Sequence, residues 1–201
     1  MTWAESGGGE GPPADADVPL PAFRTTGEEV VARGWMITLT RAGFLDPDGV
    51  AFERDVVRHP GAVAVVAVSD DDSVVLVRQY RPALDEWILE VPAGTCDVAD
   101  EHLVDAARRE LAEEVGYAAD RLDLLTRTAM TPGFCDQLSA VYLATGLTPV
   151  PLDRQGIEER YMRIEHIPLV RFDDLVDDGT VIDATTILGV GLARRRLATR
   201  R

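Results

Sequence analysis

The sequence predicts an α+β fold in which a mixed β-sheet packs against helices. Apolar runs at 61–68 and 73–80 are typical of buried strands. Apolar periodicity at 103–115, 170–177 and 185–197 indicates helices. Strands bracket these helices without a regular βα alternation, which indicates an α+β or mixed-sheet sandwich.

The N-terminal part of the chain divides into a tail and a strand region. Residues 1–20 are rich in Gly, Pro, Ala and acids. They predict a flexible tail, because such a segment buries too little surface to offset its ordering entropy. Residues 21–57 predict N-terminal strands: 35–39 is strand-like, 46–49 is turn-like and 50–57 leads back.

The main predicted domain covers residues 58–201. Pro92 and Gly94 mark a turn after its third strand, which is followed by a loop and a helix. The remaining strands are expected at 87–91, 122–130, 138–143 and 162–167.

The helix after this turn has clear start and stop signals. Apolar residues recur at every fourth position from Leu103 to Val115 and predict a buried stripe. Asp97 or Asp100 is expected to cap its N-terminus. Gly116 stands where a helix ends on a left-handed residue.

Three carboxylates crowd one turn of this predicted helix. Glu110, Glu113 and Glu114 stand at i, i+3 and i+4, so they project from one face, which we expect to turn away from the apolar stripe. Like charges at these spacings destabilise a helix, whereas a divalent cation can turn the repulsion into ligation. A solvated acidic face is the alternative interpretation of the same spacing.

The surrounding pattern resembles the Nudix box. Gly94, Glu101 and the segment 109–117 match its fixed positions, apart from one extra residue between Gly94 and Glu101, in the loop before the helix. The resemblance implies an α/β/α sandwich with a Nudix hydrolase domain at 58–201. It also implies hydrolysis of a nucleoside diphosphate that is linked to a further group.

The same resemblance implies roles for the box residues. The expected cofactor is Mg²⁺ or Mn²⁺, with two or three ions per site. Arg109 is expected to orient the glutamates, and Glu101 to pair with Arg109 as a structural residue. The expected metal ligands are Glu110 and Glu114 directly, Glu113 directly or through water, and the backbone carbonyl of Ala93. Arg109 and Glu113 are also expected to be catalytic residues.

Substrate choice lies outside the box. The segments 78–82, 89–94 and 131–136 resemble those of the ADP-ribose pyrophosphatase group, which implies ADP-ribose as substrate and AMP and ribose 5-phosphate as products. Arg81 is the candidate for the diphosphate, because its planar fork suits bidentate contact, and a surface arginine is the alternative. Further substrate-binding candidates are Arg78, Trp35, Pro132 and Gly133, with Trp35 either stacking on adenine or packing in the core.

The general base implied by the resemblance is a glutamate on the loop before the last strand. Glu158 and Glu159 both match by position, Glu158 slightly better, and a solvated loop carboxylate is the alternative for either. Such a residue must come within hydrogen-bond distance of the attacking water. Gln137 stands where many relatives have an acid, so this chain departs from the group at that position.

Composition limits the partners and the compartment. The formal net charge is −15 with no long basic patch, which disfavours nucleic acid. No segment is long and apolar enough to span a membrane, and no signal peptide is present. Cys96 and Cys135 do not suggest a disulfide framework, so we expect a cytoplasmic protein. The resemblance implies a homodimer that exchanges its N-terminal strands.

Two other functions fit the same residues. The first keeps the chemistry and changes the substrate to another nucleoside diphosphate sugar or an oxidised nucleotide. The second is a non-catalytic Nudix domain that senses a nucleotide. It is disfavoured because all the box glutamates are present and no segment is long enough for an added DNA-binding module.

Overall fold

Ten strands and three helices build the part of the protein that the structure describes. A computed structural model describes residues 19–154 and 156–199, so nearly all of the predicted tail, 1–20, lies outside the described residues. The strands are β1 Arg24–Arg33, β2 Thr38–Leu45, β3 Ala51–Arg58, β4 Ala62–Val68, β5 Ser73–Arg81, β6 Glu86–Glu90, β7 Ala93–Thr95, β8 Tyr117–Ala129, β9 Leu138–Pro149 and β10 Arg163–Pro168. The helices are α1 Leu103–Val115, α2 Phe172–Asp177 and α3 Ala184–Ala198, with 3₁₀ turns at Glu159–Tyr161 and Leu169–Arg171.

The strands form two sheets. The N-terminal strands make an antiparallel sheet in the order β1-β2-β3. The larger sheet has the order β10-β5-β4-β9-β8, with β6 paired to β5 and β7 paired to β4. The β4–β9 pair is parallel and the other pairs of this sheet are antiparallel. The predicted mixed sheet with an N-terminal antiparallel region is therefore confirmed.

Helices cover both faces of the larger sheet. Successive residues of β4 and β5 point to opposite faces, and both faces are apolar, so each strand is a continuous apolar run. One core packs Val65 and Val77 against Leu111 of α1. The other packs Val66 and Leu76 with α2 and α3. The result is the expected α/β/α sandwich, with α1 on one face of the sheet and α2 and α3 on the other. No helix in the described ranges is long and apolar enough to cross a bilayer.

The N-terminal hairpin differs from the expectation at one point. Trp35 was expected in a strand, but it lies in the β1–β2 turn and is 96% exposed. Gly34 closes this turn, because its N–H donates to the carbonyl of Ile37 at 2.8 Å. Strand β2 therefore begins only at Thr38. The predicted turn at 46–49 is confirmed by mutual backbone hydrogen bonds between Asp46, Gly49 and Val50.

Helix α1 has the predicted stripe and the predicted end. Leu111 and Val115 are buried, and Gly116 has the left-handed angles φ 69° and ψ 39°. The predicted cap is wrong, because His102 occupies the N-cap position without a side-chain hydrogen bond. Asp100 instead turns the chain two residues earlier, with φ 61°.

The predicted turn at Pro92 and Gly94 is also wrong in part. Gly94 lies in the short strand β7, opposite Val63 of β4. Pro92 precedes this strand, and its carbonyl accepts a hydrogen bond from the N–H of Val65 at 2.8 Å. The chain thus runs along β4 before it leaves for α1.

Gly116 offers a direct test of this architecture. We expect Gly116→Ala to lower the free energy of unfolding by about 1–2 kcal/mol, since a left-handed conformation costs a non-glycine residue roughly this much. An added Cβ would also lie 3.0 Å from the Val150 carbonyl oxygen. The matched variant is Gly191→Ala in α3, where an added Cβ meets open space. It should gain about 0.5–1 kcal/mol. Urea unfolding measures both; equal stabilities for the two variants would contradict the assigned cap.

Candidate active site

Two of the three clustered glutamates are buried. Glu110 is 8% and Glu114 3% exposed, and they lie one helical turn apart on α1. Glu113 is partly exposed, so the alternative interpretation of a solvated acidic face does not hold for Glu110 and Glu114. The Ala93 N–H donates to Glu114 Oε2 at 3.0 Å, which ties α1 to the start of β7.

Gly94 is the point where β7 and α1 come closest. A Cβ added at Gly94 would overlap the carboxylate of Glu110. Gly94 has no positive φ, so the glycine is required here for space and not for backbone conformation. The fixed glycine of the box therefore has a plain steric explanation.

Arg109 donates hydrogen bonds to three surrounding carboxylates. Its Nε and Nη2 donate to the two oxygens of Glu101 at 3.0 Å each. Its Nη1 donates to Glu110 Oε1 at 2.6 Å and to Glu113 Oε2 at 3.1 Å. These are the contacts that the expected roles of Arg109 and Glu101 require: Glu101 fixes the guanidinium, and the guanidinium fixes the glutamates.

Negative charge at this site is not fully compensated. Burial, with the nearby charge of Glu110, raises the pKa of Glu114 to about 8. Burial also raises the pKa of Glu110, against the lowering effect of Arg109. The charge of Glu159 raises the pKa of both. A neighbouring cation would stabilise the ionised form of this buried carboxylate pair.

The donor set fits a hard divalent cation. Carboxylate oxygens from one helix turn and the adjoining backbone of β7 are the oxygen ligands that Mg²⁺ and Mn²⁺ prefer. Within residues 19–154 and 156–199, no three His, Cys, Asp or Glu side chains are already spaced to hold a metal ion. Arg109 contacts both Glu110 and Glu113, so these carboxylates would exchange the guanidinium for the ion.

A cleft of about 360 Å³ opens beside the glutamates. Arg81 lies on its wall and donates from Nε to Glu90 Oε2 at 2.8 Å. Glu90 is 7% exposed, and its burial raises its pKa. The cleft is lined by Met36, His59, Ala62, Val63, Ala64, Arg81, Glu90, Val91, Ala93, Gly94, Thr95, Met130, Gln137, Ser139, Asp183 and Thr185.

Other predicted substrate residues lie away from this cleft. Pro132 and Gly133 line a separate cavity of about 410 Å³, whose wall is formed by three phenylalanines of the N-terminal region. Trp35 is in the exposed turn, next to Met36, which does line the cleft. Arg78 pairs with Glu165, its Nε donating to Oε1 at 2.6 Å. The structure therefore joins Arg81 to the box residues and leaves Arg78, Pro132 and Gly133 in other surroundings.

The two candidate bases differ in their surroundings. Glu158 is exposed and precedes the 3₁₀ turn Glu159–Tyr161. Glu159 is partly buried and is close enough to Glu110 and Glu114 to raise the pKa of both.

Glu90 and Asp183 line the cleft but were not predicted from the sequence as members of the site. Glu90 is an acid that directly follows the apolar residues 87–89 of β6, and that position was the available signal. Asp183 caps α3 by accepting the Thr186 N–H at 2.7 Å, and Thr186 Oγ1 accepts the Val91 N–H at 2.9 Å. Nothing local in the sequence signals this link, because 95 residues separate Val91 and Thr186.

The fold and the site define a class of protein. A mixed sheet between helices carries a buried carboxylate pair, a glycine pressed against it and an arginine-lined cleft, which is an arrangement suited to metal-assisted hydrolysis of a phosphoanhydride.

Comparison with known proteins agrees with this class. Residues 58–183 match the NUDIX domain family. The chain is 35% identical over 167 residues to an ADP-ribose pyrophosphatase of Bacillus subtilis, covering 83% of this chain and 90% of that protein. It is 37% identical over 168 residues to an ADP-ribose pyrophosphatase of Mycobacterium tuberculosis, covering 84% and 81%. A crystal structure of an ADP compounds hydrolase superposes with a TM-score of 0.77 at 27% identity, covering 90% of this chain and 95% of that one.

The chain belongs to the Nudix family and is a Nudix hydrolase. The resemblance seen in the box is thereby confirmed, and so is the fold that it implied. Nudix hydrolases depend in general on a divalent metal.

The steric role of Gly94 predicts a sensitive variant. We expect Gly94→Ala to displace the Glu110 carboxylate and to lower kcat/KM by about 100-fold, because small misplacements of reacting groups cost this much. The free energy of unfolding should change far less than kcat/KM does. Gly191→Ala, in open space on α3, is the matched control and should keep full activity. A fully active Gly94→Ala enzyme would rule out the close approach of Gly94 to Glu110 as a requirement.

Proposed function

We propose that this Nudix hydrolase cleaves the diphosphate of ADP-ribose to give AMP and ribose 5-phosphate. The observation that carries the proposal is the buried, under-neutralised pair Glu110 and Glu114. Similarity over more than four-fifths of the chain to proteins named ADP-ribose pyrophosphatase supports the choice of substrate.

Metal binding at this pair follows from its charge. Glu110 and Glu114 would hold the ion directly, with Glu113 and the backbone carbonyl of Ala93 completing the protein's share. Bound Mg²⁺ or Mn²⁺ neutralises the diphosphate, acts as a Lewis acid and lowers the pKa of a water molecule. Two or three ions per site would balance three glutamates and a diphosphate.

Arg81 is the proposed diphosphate ligand among the cleft residues. It lies in the same cleft as Ala93 and Gly94, and its charge lowers the pKa of Glu114. Its present partner Glu90 is itself buried and keeps the guanidinium in place. A planar guanidinium can contact two phosphate oxygens at once, which orients the substrate as well as binding it.

Glu159 is the proposed general base. It is the candidate whose charge reaches Glu110 and Glu114, and it stands at the start of the 3₁₀ turn that leads into β10. A base must reach the attacking water, which has to lie near the metal ligands. Glu158 faces solvent one residue earlier, so its position supports this role less well.

Product analysis tests the proposed reaction. With Mg²⁺ or Mn²⁺, the purified chain should convert ADP-ribose to AMP and ribose 5-phosphate, and chelation of the metal should stop turnover. Comparing kcat/KM for ADP-ribose, a GDP-sugar and an oxidised nucleotide separates this substrate from the alternatives. A chain that leaves ADP-ribose intact but turns over another of these compounds overturns the substrate and keeps the chemistry. Binding of ADP-ribose without turnover in the presence of metal would favour the sensing function.

Two glutamine variants identify the base. We expect Glu159→Gln to lower kcat by about 10²–10⁴-fold, the usual contribution of a positioned acid or base. Glu158→Gln should lower it far less. Steady-state kinetics at saturating metal measures both variants. If Glu158→Gln carries the large loss instead, the base is Glu158 and the assignment to Glu159 is wrong.

A homodimer is proposed for the assembly. All ten residues of β1 are exposed, including the apolar Val30 and Val31, and Trp35 stands in the exposed turn that follows. β1 pairs with β2 and is an edge strand of its sheet, and such an edge with exposed valines suits contact with a second copy through exchange of the N-terminal strands. In such a dimer Trp35 would reach the partner's cleft and stack on adenine.

Light scattering after gel filtration tests the assembly. The chain should run at twice its mass of 21.9 kDa. A Val30→Glu, Val31→Glu double variant should shift it towards the monomer, since charges would be buried at the interface. As a control, Val170→Glu changes another exposed apolar residue, which lies in the 3₁₀ turn Leu169–Arg171, and should leave the mass unchanged. A wild-type monomer at micromolar concentration would contradict the proposal.

A reducing, cytoplasmic compartment is proposed from the cysteines. Cys96 is partly buried and Cys135 is buried, and both are free thiols. Disulfides persist mainly in oxidising compartments, so two free thiols suit the cytoplasm.

A further inference from the structure

Arg154 joins two elements that flank the proposed base. Its Nε and Nη2 both donate to the backbone carbonyl of Glu114, at 3.2 Å each. Its Nη1 donates to the backbone carbonyl of Met162 at 2.9 Å. The side chain is partly buried, and these three hydrogen bonds, which join it to described residues, go to backbone oxygens.

The Glu114 carbonyl is a natural acceptor. It belongs to the last turn of α1, where carbonyls have no partner within the helix. The last turn of α1 contains no basic residue of its own. Arg154 therefore supplies the positive charge that favours a helix C-terminus, from a segment 40 residues further along the chain.

The Met162 carbonyl fixes the other end. Met162 is 4% exposed and belongs to the core between α1 and the sheet. Its N–H donates to the Glu159 carbonyl at 3.1 Å, so the 3₁₀ turn that carries Glu159 is bonded to the residue that Arg154 holds. The Arg154 guanidinium thus connects Glu114, a proposed metal ligand, to the end of the 3₁₀ turn that contains Glu159, the proposed general base.

We propose that Arg154 is a positioning residue that sets the distance between Glu159 and the Glu110–Glu114 pair. The inference rests on the proposed function, in which Glu159 acts on a water near those glutamates. Arg154 contacts no substrate in this role; it acts through backbone carbonyls. The planar fork suits it to hold two acceptors in a fixed relation, which a lysine ammonium on a flexible stem does less well.

A helix cap alone would make a different prediction. A residue that only capped α1 would affect stability, and its loss would leave the chemistry of the folded enzyme intact. A positioning residue affects kcat in enzyme that is still folded, because a displacement of about 1 Å costs up to 100-fold in rate. The two roles therefore separate in kinetics on folded protein.

Three variants and two readouts test the inference. Arg154→Ala removes the fork, Arg154→Lys keeps the charge, and Arg171→Ala removes an exposed arginine that pairs with Asp174 and does not line the cleft. Steady-state kinetics gives kcat and KM with ADP-ribose and metal. Hydrogen–deuterium exchange gives the opening of the segment 156–162, whatever the substrate proves to be.

The expected kinetic result is a loss confined to kcat. Arg154→Ala should lose roughly 10- to 100-fold in kcat with little change in KM. Arg154→Lys should lie between it and the wild type, and added guanidinium at low millimolar concentration should restore part of the kcat of Arg154→Ala. Arg171→Ala should match the wild type. A folded Arg154→Ala enzyme with wild-type kcat, or one that guanidinium does not rescue, overturns the inference.

The exchange result separates this inference from the proposed function. In Arg154→Ala, amides of 156–162 should exchange about tenfold faster while the strands of the core keep their protection. If the variant shows this faster exchange but the wild type leaves ADP-ribose intact, ADP-ribose is not the substrate, and Arg154 still holds the segment 156–162 in place. Unchanged exchange of 156–162 in Arg154→Ala would show that Arg154 does not position this segment, even if the wild type is active. If Arg154→Ala does not fold, the same two measurements on Arg154→Lys decide.

Discussion

The burial of Glu110 and Glu114 on one turn of α1 is the constraint on which the rest of the site depends. The two carboxylates repel each other, and burial raises the pKa of both. The Ala93 N–H and the Arg109 guanidinium offset this cost only in part. In the proposed function a divalent cation would complete the neutralisation, so the feature that is least favourable for stability would be the one that provides the chemistry.

The neighbouring elements are arranged around this pair. Strand β7 can approach α1 because Gly94 has no side chain, and its pairing with β4 fixes it on the central sheet. Arg81 reaches the same cleft from the end of β5, held by Glu90 of β6. The contact from Val91 to Thr186 fastens β6 to α3. Residues from distant parts of the chain thus converge because the sheet order brings their strands side by side.

Local patterns in the sequence predicted the elements that local physics controls. The stripe of α1, its left-handed end at Gly116 and the buried strands β4 and β5 were expected from periodicity and glycine chemistry. The cap at Asp97 or Asp100 was wrong, because a left-handed turn at Asp100 sets the entry to the helix. Trp35 looked like a strand residue, but the turn closed by Gly34 takes it out of the sheet.

The site was predicted where its residues are close in sequence and missed where they are not. The contacts of Arg109 with Glu101, Glu110 and Glu113 span at most eight positions. The contact with Glu113 follows from the helical i,i+4 spacing, and the pairing with Glu101 was implied by the resemblance to the box. The burial of the glutamates was not predicted, because it depends on β7 lying against α1. The link from Arg154 to Glu114 and Met162 depends on the path of the chain around the end of α1, which no spacing rule describes.

Calorimetric titration with Mn²⁺ tests, without any substrate, the proposal that Glu110 and Glu114 form a divalent metal site. The wild type should bind Mn²⁺, and the Glu110→Gln, Glu114→Gln double variant should bind it at least about tenfold more weakly, since even partners of metal ligands contribute this much. Asp174→Asn, which removes an exposed carboxylate, is the control and should bind like the wild type. Equal affinity of the wild type and the double variant for Mn²⁺ would show that Glu110 and Glu114 do not form a metal site.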